Sequence, residues 1–310
     1  MRFGWAVAVG VATLLCSCAG DGNGNSKENV EDTQEDTDTE VVYSTDLDDC
    51  DFDVTTLESK GADELLADLL RNYDLPRCRG EVVAALESTA LAFDLSAMHD
   101  ERSTALSPLY PEDLVVSTPA GVDPENQVGW MVVAASPHDV GVHLQAALDP
   151  NQVCMQSVWS VYYGRSFLSD ALCFSSGACS ELRTSAEIRI AILAMPFWRD
   201  EFVDFAVVPL PDGRIAMVAR TWNEEIAVAD VEGNEYRQGF GVDIWYEDPA
   251  DPTATVWLTA RWTELAMPSV GGEFLSTLLM NEVAARIDYT NVFLDGGFCI
   301  NDRDYVYDRP

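Results

Sequence analysis

The chain predicts an α+β fold in which an antiparallel sheet carries a long C-terminal helix across one side. Three observations lead there. Six strand-like runs follow one another between residues 153 and 264, separated by turns. The last run alternates, with Ala254, Val256, Leu258, Ala260 and Trp262 on one face and Thr255, Thr259 and Arg261 on the other, as in an antiparallel strand with one buried face. After Pro268, the segment GGEFLSTLLMNEVAARI carries Phe274, Leu275, Leu278, Leu279, Val283 and Ile287 as a broad apolar stripe. A helix this apolar, directly after a meander of strands, is expected to lie against the sheet.

The elements follow in chain order. The first residues, MRFGWAVAVGVATLL, hold one arginine and then an apolar run shorter than the roughly 20 residues needed to span a bilayer. This is the build of a secretory signal, expected over 1–17. Leu15-Cys16-Ser17-Cys18 resembles the lipobox of bacterial lipoproteins, which implies Cys18 as the lipid-bearing first residue of the mature chain. Residues 18–55, with DGNGNSKENVEDTQEDTDTE at their heart, are almost free of apolar side chains and are expected to form an extended, disordered tether. A folded region is expected from 56 to 310.

In that region, residues 61–72 place Leu65, Leu66, Leu69 and Leu70 at helical spacing, and 80–93 read as a second helix, with Pro76 and Arg77 in the link. Residues 100–127, with four prolines, read as turns and loops. GWMVVAAS is a strand, and PHDVGVHLQAALDP a helix with proline in its first turn. The six strands are expected at 153–163, 184–195, 201–209, 214–222, 239–247 and 254–264. Pro211-Asp212-Gly213 is the clearest of the turns between them.

Composition bounds the partners. A net charge of −35, with Lys27 and Lys60 the only lysines, excludes nucleic acid, whose phosphates require clustered cations. Once Cys16 and Cys18 are set aside, six cysteines remain. An even number in an exported chain points to disulfides, and six cysteines allow 15 pairings. Cys173 with Cys179 is the easiest closure; Cys50 with Cys78 and Cys154 with Cys299 are two further candidate pairs. No metal-site spacing, nucleotide loop or nucleophile elbow occurs, and no cofactor is implied. His138 and His143, five apart, would lie about 140° apart on a helix and so share no metal-facing side. Asp49-Cys50-Asp51-Phe52-Asp53 lacks the glycine and distal glutamate of a calcium loop.

The order of elements is similar to that of the helix-grip fold. More narrowly, residues 184–287, about a third of the chain, resemble the StAR-related lipid-transfer (START) family. The matching features are Ala194-Met195-Pro196-Phe197-Trp198, the pair Arg199-Asp200, the aromatic run Phe202 to Val208, the turn Leu210-Pro211-Asp212-Gly213, the strand to Trp222, and the closing Met267-Pro268 with its helix. The resemblance implies a cavity between sheet and final helix for an apolar small molecule or lipid, bound without covalent chemistry. Side chains alternate along a strand, so Arg199 shares a face with Phe205 and Val207, while Asp200 sides with Phe202 and Asp204. With Trp262, placed inward by alternation, and Leu278 on the helix, these make the expected ligand contacts: Arg199, Phe205, Val207, Trp262 and Leu278. Arg199 either reaches the ligand's polar head or forms a structural ion pair with Asp243, Glu264 or another carboxylate. Trp222, Trp245, Trp257 and Trp262, as a group, read as core in preference to a ligand shelf, with Trp262 having the best claim to the inner face. The expected address is the bacterial cell envelope, through the lipid on Cys18. An enzyme built on the same grip, or a surface protein with a filled core, are the alternatives.

Overall fold

The computed structural model describes residues 50–150, 152–156, 159–193, 195–268, 270–297 and 299. The signal segment, Cys18 and the tether up to residue 49 lie outside these residues, as does Ala194. Two helices come first, α1 (Ala62–Arg71) and α2 (Pro76–Ala90). They are followed by β1 (Ser103–Leu106), β2 (Val128–Ser136), α3 (Val140–Ala147), β3 (Ser160–Phe167) and the short α4 (Ala171–Ser175). The meander then runs through β4 (Glu181–Ile192), β5 (Met195–Pro209), β6 (Ile215–Trp222), β7 (Ala227–Val228), β8 (Glu235–Asp248) and β9 (Asp251–Ala266). The long helix α5 (Gly272–Leu294) closes the fold.

Every pairing in the sheet is antiparallel, in the order β1-β2-β9-β8-β6-β5-β4-β3, with β7 beside β8. The chain thus begins and ends its meander at β2 and β9, which pair over nine residues from Val128–Thr263 to Ser136–Thr255. The sheet stays open, with β1 and β3 as its edge strands.

Both faces of the sheet are covered. One carries Met131, Val133, Ala206, Val208, Val218, Val242, Ile244, Leu258 and Trp262, packed on α1 and α2. The other carries Trp130, Val132, Val203, Phe205, Met217, Trp245 and Trp257, beneath α5. Strict alternation along each strand separates the two sets. The helical layer is also pinned by charge. Arg220, nearly buried, reaches Asp204 at 2.8 Å and Asp74 at 3.3 Å and stacks over Tyr73, whose hydroxyl donates to the Asp204 carbonyl at 2.7 Å.

Several expectations are corrected here. Pro76 does not lie in a link; it opens α2, where its missing N–H has no helical acceptor to lose. Residues 50–55 belong to the folded body, because Cys50 bonds Cys78 and Asp53 caps a 3-10 turn at Val54–Ser59. The strand expected at 153–163 begins at Ser160, since Gln152–Met155 form a 3-10 turn that holds Cys154 against Cys299. The stretch read as loop contains β1, and β7 was not anticipated. Phe274, assigned to the stripe of α5, is exposed. The third disulfide joins Cys173 and Cys179, so all three pairings considered are present. Among the described residues no helix is long and apolar enough to cross a membrane.

Candidate functional site

A cavity of about 180 Å³ lies between α5 and the sheet, so the core under the helix is not solid. An apolar void of about 150 Å³ is enough to take up benzene. The space here is of that order and somewhat larger. Its apolar wall includes Trp130, Met155, Phe205, Met217, Trp245 and Trp257. Trp245 and Trp257 lie with ring centroids 5.1 Å apart, and His143 stands edge-on to Trp257 at 5.6 Å.

The wall also carries charged groups. Along β5, parity puts Arg199, Glu201, Val203 and Phe205 on the cavity side. Arg199 pairs with Glu201 and covers the Tyr236 ring, 4.5 Å from its centroid. The carboxylate found for Arg199 is thus its neighbour two residues on, neither Asp243 nor Glu264. Glu201 also accepts from the Tyr163 hydroxyl at 3.3 Å, and that hydroxyl accepts from Arg165 at 3.3 Å.

Asp243 on β8 is buried between two arginines. Arg261 of β9 reaches it at 2.5 Å and Arg286 of α5 at 3.3 Å, while the Trp257 indole donates to it at 3.1 Å. Burial works to raise its pKa, but Arg261 and Arg286 overcome this and hold it near 2. On α5, Leu279, Glu282, Val283, Arg286 and Thr290 form the stripe that faces the cavity. Glu282 has no hydrogen-bond or ion-pair partner among the described residues. Burial pushes its pKa up to about 8, with Arg286 opposing, so its carboxyl is mostly neutral at pH 7.

His143 is desolvated, with His138 adding repulsion, and its pKa falls to about 4; its Nε2 lies 2.9 Å from the Ser136 hydroxyl. His138 precedes α3, so the helical angle does not separate the two rings; their centroids are 6.3 Å apart. Among the described residues no group of three metal-ligating side chains assembles.

Of the expected contacts, Arg199 and Phe205 line the cavity. Val207 and Leu278 do not line it; they are partly buried and pack against the apolar cluster beneath α5. Trp262 is a correction: it lies on the opposite face, buried against the N-terminal layer, with its Nε1 donating to the Ser107 carbonyl at 2.9 Å. The purely apolar stripe of β9 packs on α1 and α2, and the stripe with Thr259 and Arg261 turns to the cavity. Trp257 occupies the inner place instead. Glu282, Arg286 and Asp243 were not singled out as site residues; the spacing of Glu282 and Arg286, four apart beside Leu279 and Val283, is the signal that places them on the inner face.

No family model matches the chain, and no curated protein matches it in sequence. Solved structures are similar in fold. The STAR-related lipid transfer protein of Xanthomonas axonopodis is 11% identical, with TM-score 0.38, covering 55% of this chain and 87% of that one. A START superfamily protein from Mycobacterium smegmatis is 12% identical, with TM-score 0.34, covering 54% and 97%. The ZhuI aromatase/cyclase of a Streptomyces species is 8% identical, with TM-score 0.34, covering 56% and 99%. The chain's own topology is decisive: an antiparallel sheet, with β9 brought back beside β2, holds one long C-terminal helix. The fold is a helix-grip. The site of this helix-grip chain rests on its own residues.

Proposed function

We propose that this is an exported, lipid-anchored binding protein that holds a small, largely apolar molecule between its sheet and α5. The observation that carries the reading is the cavity of about 180 Å³, walled by four tryptophans, Trp130, Trp159, Trp245 and Trp257, and opposed by paired charges. Burying apolar surface supplies the affinity, at about 25 cal/mol per Å², and the charged groups set orientation. Three disulfides favour an oxidising compartment outside the cytoplasm. The lipobox-like Leu15-Cys16-Ser17-Cys18 supports attachment through Cys18.

Two experiments test it. Organic extracts of the purified protein, compared by mass spectrometry, are expected to contain a small molecule that is missing from Ala219→Phe, which fills the cavity from β6. Identical extracts, with no molecule in either, count against the binding reading. For the anchor, Cys18→Ala is expected to move the protein from the membrane to the soluble fraction; unchanged fractionation removes that part.

A catalyst in the same hollow is the second reading, favoured by one feature, the inward carboxyl of Glu282, which is protonated at neutral pH and able to give up a proton. Turnover of an extracted compound that disappears in Glu282→Gln would move the protein into this class.

A further inference from the structure

The following inference rests on the binding reading and names the chemistry of the ligand. The cavity wall holds four arginines, Arg165, Arg199, Arg261 and Arg286, against three carboxylates, Glu201, Asp243 and Glu282. Glu201 is taken up by Arg199. Asp243 is shared by Arg261 and Arg286, so that group keeps one positive charge in excess. Arg165 forms no ion pair among the described residues; it donates to the Ala147 carbonyl at 2.6 Å and the Tyr163 hydroxyl at 3.3 Å, and lies 5.3 Å from the Phe205 centroid. These groups are neighbours, because the Tyr163 hydroxyl feels the charges of both Arg165 and Arg286, and Arg261 feels those of Arg286 and Glu201. His143, desolvated, adds no positive charge at neutral pH.

With Glu282 neutral, the wall carries two more positive charges than negative ones. The Nε donors of Arg165 and Arg286 and the indole donors of Trp130 and Trp245 are buried without an acceptor among the described residues. Excess charge and unpaired donors in a desolvated place are both costly until an anion or acceptor meets them.

We infer that the cavity selects a small organic acid, its anionic group lying among Arg165, Arg261 and Arg286 with Glu282 donating a hydrogen bond to it, and its apolar body against Trp130, Trp245 and Trp257. A pH dependence follows. The titratable and charged groups that line the cavity with Glu282 are Arg286 on its own helix, Asp243 and Tyr236 from β8, Arg261 from β9, Arg199 and Glu201 from β5, Tyr163 and Arg165 from β3, and His143 from α3. Burial lowers Arg261 from the very high range of a guanidinium, Asp243 keeps its charge down to about pH 2, and Glu282 is the cavity group whose pKa stands near 8. Once ionised it repels the bound anion, and affinity falls as pH rises.

The test uses the full chain and matched pairs of probes: benzoate and benzamide, 2-naphthoate and 2-naphthamide, octanoate and octanamide, titrated by calorimetry at pH 6.5. At least one acid is expected to bind about tenfold or more tightly than its amide, as one partly buried charge pair allows. Arg165→Met is expected to erase that preference and Arg165→Lys to keep it; neither change strands a carboxylate. The preference is expected to decline between about pH 7 and 9, and to stay level in Glu282→Gln. Equal binding of acid and amide overturns the inference and leaves the cavity reading standing. Binding by no member of any pair overturns both. A preference that ignores both Arg165→Met and pH overturns the placement of the anionic group.

Discussion

Asp243 shows how one buried carboxylate organises the wall, since Arg261, Arg286 and the Trp257 indole all converge on it. Asp243→Asn would leave two arginines without a counter-charge, and breaking a buried pair from one side costs about 3 kcal/mol or more. Denaturant unfolding at pH 7 is the check, and a loss below about 1 kcal/mol contradicts the arrangement. The acid side follows from the same group. Its folded pKa, near 2, is below the ordinary 3.8, so its contribution is present above about pH 4 and is lost as pH falls through 2. The variant is expected to lose stability less steeply than the wild type over that interval. At this scale the sequence was partly legible. Strand parity alone put Arg199 and Phe205 on the cavity side. Glu282 escaped because a search for an apolar stripe discards carboxylates, even when their neighbours Leu279 and Val283 point the same way.

Strand β9 carries the element-scale lesson. Its alternation was readable, with Val256, Leu258, Ala260 and Trp262 together, but periodicity reports polarity and cannot tell a polar cavity from bulk water. The two tryptophans now make separable predictions. Trp262→Ala removes a side chain from the layer on α1 and α2 and should cost about 3–5 kcal/mol, with ligand affinity kept at temperatures where the variant is folded. Trp257→Phe, on the cavity side, should weaken ligand binding more than it weakens the fold; equal effects of the two on binding contradict the assignment of faces. The disulfides belong to this scale too. Cys154 and Cys299 are 145 residues apart, and loop entropy assigns their bond up to about 5 kcal/mol, against about 2 kcal/mol for Cys173–Cys179 with a separation of 6. Paired serine replacements compared by thermal unfolding are expected to rank in that order. The short strands β1 and β7 were not legible, because four and two residues hold too few alternations to register.

For the whole molecule, a net charge of −35 implies self-repulsion in the folded state. Raising salt from about 0.02 M to 0.5 M shortens the screening length severalfold and should lift the unfolding temperature by several degrees. A midpoint that falls with added salt contradicts this. Element order and meander were legible because turns and alternation are local; the two-sided burial was not, since which layer covers a face is decided by distant segments. The bond from Cys154 to Cys299 has a mechanical corollary. The chain leaving α5 is riveted to the 3-10 turn at Gln152–Met155, and Thr290 is tied to the Met155 carbonyl at 2.9 Å. The opposite end begins at Gly271 and Gly272 without a side-chain cap. The late turns of α5 are therefore fastened to the body by a covalent tie, and fraying of this helix is expected to start from its first turn.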